Sequence, residues 1–150
     1  MDNLDKKILN QLQIDNTLTN AGLAESVGLS PPACLKRVAR LRSTGIIESE
    51  VAILDPKRVG HKINVIVEIE FERDRPDLYR HFLDLVSAAS EVSQCYQVTG
   101  EVDMILVVSV PDMDAYDGFV HRVLYAEPNL KKFKTLISLR REKFQTAIKL

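Results

Sequence analysis

An α+β fold in two parts is predicted by three features of the sequence. Apolar residues recur at three- and four-residue steps from residue 4 to residue 47, which marks amphipathic helices. Beyond residue 50 they alternate one by one, which marks strands buried on one face. The later signals follow the order strand, helix, strand, strand, helix, strand, the split βαβ arrangement of ferredoxin-like domains. The predicted boundaries are a winged-type helix-turn-helix over 1–49, a connecting strand and hinge over 50–62, and a ferredoxin-like βαββαβ domain over 63–150.

The first helix carries Leu4, Ile8, Leu9 and Leu12 on one face and ends near the polar QIDNTL. Thr19 is the expected N-cap of the second, with Leu18 and Leu23 placed as a hydrophobic staple. A capping box wants Glu or Gln three residues after the cap, and Gly22 stands there instead, at a cost of up to about 1 kcal/mol relative to alanine. Gly28 closes this helix, Ser30 caps the third, and Pro31 suits its first position, where the missing N–H would have had no partner. The third helix stops before Gly45, and GIIES returns the chain to extended structure.

EVAIL, at 50–54, is a short strand candidate and DPKRVG a turn. Ile63, Val65, Val67, Ile69 and Phe71 form the buried face of the next strand. A helix follows with Pro76 in its first turn and Leu78, Phe82, Leu85 and Val86 on one face. EVSQCYQVTG and VDMILVVSV are two strands around a turn at Thr99, Gly100 and Glu101. Asp112 caps a helix carrying Met113, Tyr116, Val120, Val123 and Leu124, and LKKFKTLISLRRE supplies the last strand.

Across 150 residues, 45% apolar and 27% charged, the formal charge is −1, so the whole says little about partners. The regions differ. Lys36, Arg37, Arg40 and Arg42 form one basic cluster, Lys131, Lys132, Lys134, Arg140, Arg141 and Lys143 another, and the stretch between leans acidic. No apolar run is long enough to span a bilayer, and MDNLDKKIL has no apolar core of a signal peptide, so a cytoplasmic protein with no membrane partner is expected. Cys34 and Cys95 lie far apart in apolar patterns and read as buried free thiols.

On a helical wheel the third helix is apolar at Cys34, Leu35, Val38 and Leu41, while Lys36, Arg37 and Arg40 lie on the other side with no acidic residue among them. Arg42 falls on the apolar side. With a preceding helix and tight turn, this is the pattern of a recognition helix for double-stranded DNA. Small residues at its tip approach base edges, and Arg or Lys further along reads guanine or grips phosphate. Ser30, Pro32, Ala33, Lys36, Arg37 and Arg40 supply that distribution, and the three cations are expected to face outward without an internal partner.

These residues also carry a resemblance. LDKKILNQLQIDNTLTNAGLAESVGLSPPACLKRVARLRSTGII resembles the helix-turn-helix of the Lrp/AsnC (feast/famine) transcription regulators, and AILDP and VTGEVDMILVVSVPDMDAY extend the likeness through the chain. The resemblance implies a helix-turn-helix at about 20–39 and an amino-acid-sensing domain at about 63–140. It also implies homodimers formed through the sheets and higher assemblies such as octamers. Thr99, Gly100 and Asp103 match the family's TG-x-x-D turn, Met113 its PDM segment, and Leu136, Ile137 and Ser138 its last strand, so these are the implied effector-binding residues. The chemistry is consistent: turned backbone N–H groups suit a carboxylate, Thr99 and Ser138 donate or accept, and Asp103 accepts from an ammonium. Gly22 departs from the capping Glu common in the family. No cofactor is implied beyond an amino-acid effector whose identity does not carry over.

No enzyme is expected. His61, His81 and His121 are dispersed, neither cysteine stands at a metal-ligand spacing with them, and no phosphate loop or nucleophile motif occurs. Asp112, Asp114 and Asp117 are the acidic first turn that a helix dipole favours. The alternatives are an architectural DNA-bridging protein with ligand-tuned assembly, or a metabolite sensor acting on a protein partner. The basic face of the third helix speaks against the latter.

Overall fold

The computed structural model describes residues 1–73 and 76–150, with the backbone alone for 76–78, so the expected contact of Leu78 lies outside the described residues. The chain forms two compact units, Met1–Ile53 together with Glu142–Leu150, and Leu54–Arg141. Residues 142–150, which the sequence division assigns to the second domain, thus lie with the helical unit; Gln13 holds Ile148 by both amide atoms, at 2.9 and 2.6 Å.

The helical unit contains α1 (Asn3–Ile14), α2 (Asn20–Val27) and α3 (Pro31–Ser43). Ile8 and Leu9 of α1, Leu23, Ala24 and Val27 of α2, and Cys34, Val38 and Leu41 of α3 form its core, edged by Leu12, Leu18, Leu29 and Ile47. A fully buried aliphatic side chain of this size contributes about 1.5–3 kcal/mol, and these few carry the unit. The start of α1 and both ends of α2 are chemically closed. Asp2 and Asp5 form a capping box on α1, and Thr19 Oγ1 accepts the Gly22 N–H at 3.1 Å on α2. Gly28 takes φ 72°, Gly28 N–H donates to Glu25 at 3.2 Å, and Leu29 N–H donates to Ala24 at 2.9 Å. That Schellman pair ends α2 and lets α3 begin two residues later. Asn20 Nδ2 then bonds the Pro31 carbonyl at 2.9 Å, tying the start of α2 to the start of α3.

Four expectations in this unit are corrected. Ser30 has N-cap backbone geometry, but its hydroxyl makes no cap bond. Pro31 and Pro32 remove the N–H groups at the first two helical positions, so only Ala33 N–H is left for it to accept. Leu35, expected in the core, is 55% exposed, because the core contact narrows to the stripe of Cys34, Val38 and Leu41. GIIES turns rather than extending: Gly45 takes φ 72° and Ile47 N–H donates to the Leu41 carbonyl at 3.1 Å. Residues 50–54 form no strand, and Val51, Ile53 and Leu54 are exposed. An extended segment needs a neighbouring strand for its N–H and C=O groups, and none is present among the described residues, so no strand wing is formed.

The second unit follows the predicted order. It contains β1 (Ile63–Phe71), α4 (Pro76–Ala88), β2 (Val92–Gln97), β3 (Met104–Val110), α5 (Met113–Phe119) and β4 (Leu130–Ile137). Between α5 and β4 the helix widens into a π turn, Val120–Leu124, in which Tyr125 N–H reaches back to Val120. The antiparallel sheet has the order β2-β3-β1-β4. Its helix-covered face presents Val65, Val67, Ile69 and Phe71 of β1 and Met104, Leu106, Val108 and Val110 of β3 to Phe82, Val86, Phe119 and Leu124. On its other face, Ile66 and Tyr96 are exposed. The buried Glu127 carboxylate is satisfied by Asn129 N–H at 2.8 Å and by His81 Nδ1 at 2.9 Å. Both thiols are free and pushed up by burial; Cys34 is buried, while Cys95 is only partly so.

Candidate functional site

The two prolines and the Gly28 turn set the direction of α3, and its core stripe fixes its roll. The opposite side then carries all six residues singled out on this helix. Ser30, Pro32, Lys36 and Arg40 are exposed, and Ala33 and Arg37 are partly covered. Lys36 has no acidic partner among the described residues. Arg42 turns away and bonds Glu50 at 2.9 and 3.0 Å, in keeping with its exclusion from the face.

The arginines, however, are not without internal partners. Arg37 Nη1 donates to Asp2 Oδ2 at 2.7 Å and to Asp5 Oδ1 at 2.8 Å, and Arg40 Nη2 donates to both oxygens of Asp5 at 2.7 Å. Asp5 is 1% exposed, and its carboxyl also accepts the Asp2 N–H at 2.9 Å. That backbone bond, with the guanidinium groups, holds the Asp5 carboxyl well below the usual carboxylate range despite burial. Helix three has no balancing acid of its own; α1 supplies two. A signal was present in the sequence: Asp5 shares its helical face with Leu9 and Leu12, and a carboxylate on a buried stripe requires a cationic partner.

The residues implied for an effector separate into two groups. Thr99 and Gly100 lie exposed in the β2–β3 turn, where Gly100 takes φ 133°, a conformation open to glycine. Asp103 closes that turn: its carbonyl accepts from Val98 N–H at 3.0 Å, its N–H donates to Ile69 at 2.8 Å, and its Oδ2 accepts the Phe71 N–H at 2.7 Å. Leu136, Ile137 and Ser138 lie at the far end of β4, where Ser138 N–H donates to Asn64 at 2.9 Å. Met113, 44% exposed, begins α5 just after β3 ends at Val110, opposite Ile63. Ile69 and Asn64 are several residues apart on β1, about 17 Å at about 3.4 Å per residue, so one chain does not bring the two groups together.

Beside the turn group is an open cavity of about 240 Å³ lined by Glu68, Glu70, Glu101, Val102, Lys132, Phe133 and Lys134. It presents both carboxylates and ammonium groups. Lys134 Nζ lies 3.3 Å from Glu68, and Lys131 holds the Glu70 carboxyl below its usual range by a hydrogen bond. In the sequence Lys132 and Lys134 belong to a basic cluster and Glu101 to the turn, but nothing there joins them to Glu68 and Glu70; they converge only through the register that sets Glu68 against Lys134 and Glu70 against Lys132. Among the described residues no group of His, Cys, Asp and Glu could hold a metal ion, and no helix is long and apolar enough to cross a membrane.

Comparison with known proteins matches residues 1–42 to the AsnC-type helix-turn-helix domain and residues 64–148 to the Lrp/AsnC ligand binding domain. The chain is 41% identical to an HTH-type transcriptional regulator of Sinorhizobium fredii over 148 residues, covering 99% of this chain and 88% of that one. It is 36% identical to the leucine-responsive regulatory protein of Escherichia coli K12, covering 91% and 84%. Among solved structures, a transcriptional regulator of Neisseria meningitidis in complex with L-Met superposes with a TM-score of 0.91 at 32% identity, covering 99% and 96%. An AsnC family transcriptional regulator from Agrobacterium tumefaciens does so with a TM-score of 0.91 at 37% identity, over the same shares.

Proposed function

Because the chain belongs to the Lrp/AsnC family of transcriptional regulators, we propose that it reads a specific DNA site through α3 and changes its occupancy of that site when an amino acid binds its second unit. The observation that carries this reading is the single outward face of α3, with small residues at its tip and cations along its length. Ser30, Pro32 and Ala33 approach base edges, while Lys36, Arg37 and Arg40 contact guanine and phosphate. Two copies in a homodimer, joined through the exposed sheet faces, present two such helices to successive major grooves about 34 Å apart.

The effector is an amino acid, supported by the L-Met complex of the Neisseria meningitidis relative. Its carboxylate is taken by the Thr99–Gly100 turn and its ammonium by Asp103, with Met113, Leu136, Ile137 and Ser138 completing the site from another copy. Binding one assembly state better than another shifts the population among dimers and larger assemblies such as octamers, and with it the occupancy of DNA.

A thermal-unfolding series with each of the twenty amino acids tests the sensor. A ligand at a hundred times its Kd stabilises the folded state by about 2.7 kcal/mol. One amino acid or a few related ones are expected to raise the melting temperature and to alter binding to a duplex selected by the protein from a random pool. No shift with any of the twenty removes the amino-acid reading.

A further inference from the structure

We infer that Asp5 is a specificity-determining positioning residue, one that sets how Arg37 and Arg40 meet DNA. The inference rests on the reading of α3 as the DNA face.

Three cations lie on that face, and Asp2 and Asp5 lie against two of them, so the face as folded carries one net positive charge rather than three. A carboxylate asks of a guanidinium what a phosphate asks: parallel N–H donors and a positive charge. Donors engaged by Asp5 are therefore withheld from the DNA backbone. The engagement is partial. Asp5 takes Nη1 of Arg37 and Nη2 of Arg40, and the Arg40 side chain is still 53% exposed, with Nη1 and Nε left for an outside acceptor. Arg37, with a side chain 27% exposed, is held more closely, since Asp2 and Asp5 share its Nη1.

The clamp has a firm anchor. Asp5 is fixed by the capping box of α1, its side chain is 1% exposed, and α1 packs on the same core as α3. Two consequences follow for recognition. The non-specific, counterion-driven part of binding is damped, because the face neutralises fewer phosphates. The base-reading part is favoured, because a guanidinium held at one edge presents its other edge in one orientation rather than many.

Asp5→Asn in the full chain tests this against two probes: the duplex selected from a random pool and a scrambled duplex of equal length. The expected result is non-specific affinity raised about tenfold, a salt slope steeper by about one per subunit, and a specific to non-specific ratio lowered about tenfold. A merely structural role lowers both affinities together and leaves the slope alone; that result overturns the inference, as does an unchanged ratio. Should Asp5→Asn fail to fold, Asp2→Asn decides. It keeps the N-cap acceptor while removing the negative charge that Asp2 sets against Arg37, and a ratio lowered about threefold is expected, Asn being as good a cap as Asp. An unchanged ratio there overturns it. Lys36→Ala separates the two layers, since Lys36 touches neither aspartate. If Lys36→Ala weakens binding while Asp5→Asn keeps the wild-type ratio, only the clamp falls. If Lys36→Ala and Arg40→Ala both leave affinity unchanged, the DNA face itself is wrong and the clamp falls with it.

Discussion

At Asp5 a helix N-terminus and two guanidinium groups converge on the same two oxygens. One oxygen accepts the Asp2 N–H and Arg40, the other Arg37 and Arg40, at 2.7–2.9 Å. Both sources favour the ionised form, so the folded state holds this carboxyl below its ordinary value of 3.8. Because the folded value is lowered, the unfolded chain binds the proton first. The stabilisation is complete above pH 3.8 and is lost as pH falls below it towards the folded value. Urea unfolding between about pH 5 and pH 2 is therefore expected to show an acid limb that is flatter in Asp5→Asn than in the wild type; equal limbs would place the acid sensitivity elsewhere. A partner for Asp5 was legible from its place on the Leu9 and Leu12 face, but which cations it takes was not. Arg37 and Arg40 lie 32 and 35 residues away, and only the packing of α1 on α3 brings them into reach.

Elements were read well where one face is buried and its period is carried by many residues. The alternation from Ile63 to Phe71 sets β1 to the residue, and the helix stops at Gly28 and Gly45 are both left-handed as glycines there imply. The pattern misleads where a single residue or an absent neighbour decides. Leu35 is one step off a stripe only three residues wide, and the alternation in EVAIL has the pattern of a strand without a strand beside it. At α2 the departure of Gly22 from a capping box is matched in the structure, since Thr19 Oγ1 accepts the Gly22 N–H and nothing returns the bond. A Cβ built at Gly22 meets Thr19 Oγ1 at 3.4 Å, an ordinary contact, and the residue is only partly buried. Gly22→Glu is therefore expected to stabilise the chain by about 1 kcal/mol, through helix propensity and a completed capping box. Equilibrium denaturation measures it, with Gly22→Ala as the control that supplies propensity without the box; a loss of stability in both would mean that α2 needs glycine there.

At the scale of the whole molecule, the candidate sensing residues pose a geometric problem that the sequence does not show. Spacing along the chain puts the turn group and the β4 group on either side of one helix, with no sign of how far apart they lie. Sheet register answers it: Asp103 bonds to Ile69 and Ser138 to Asn64, at separate ends of the central strand, about 17 Å apart at about 3.4 Å per residue. An amino acid is too short to touch both groups in one chain, so a site using both takes them from two copies. This makes a prediction that differs sharply from a site within one chain. Asp103→Ala and Ser138→Ala homo-oligomers are each expected to lose the ligand-induced shift. Mixed by unfolding and refolding together in equal amounts, they recover about a quarter of the wild-type binding sites, because a random pairing joins an intact turn to an intact strand end about one time in four. A site contained in one chain recovers none, whatever the mixing ratio. Calorimetric titration of the mixture gives the site number directly. The homo-oligomers must be matched for stability first, since Asp103→Ala also frees the Phe71 N–H that its carboxylate accepts at 2.7 Å.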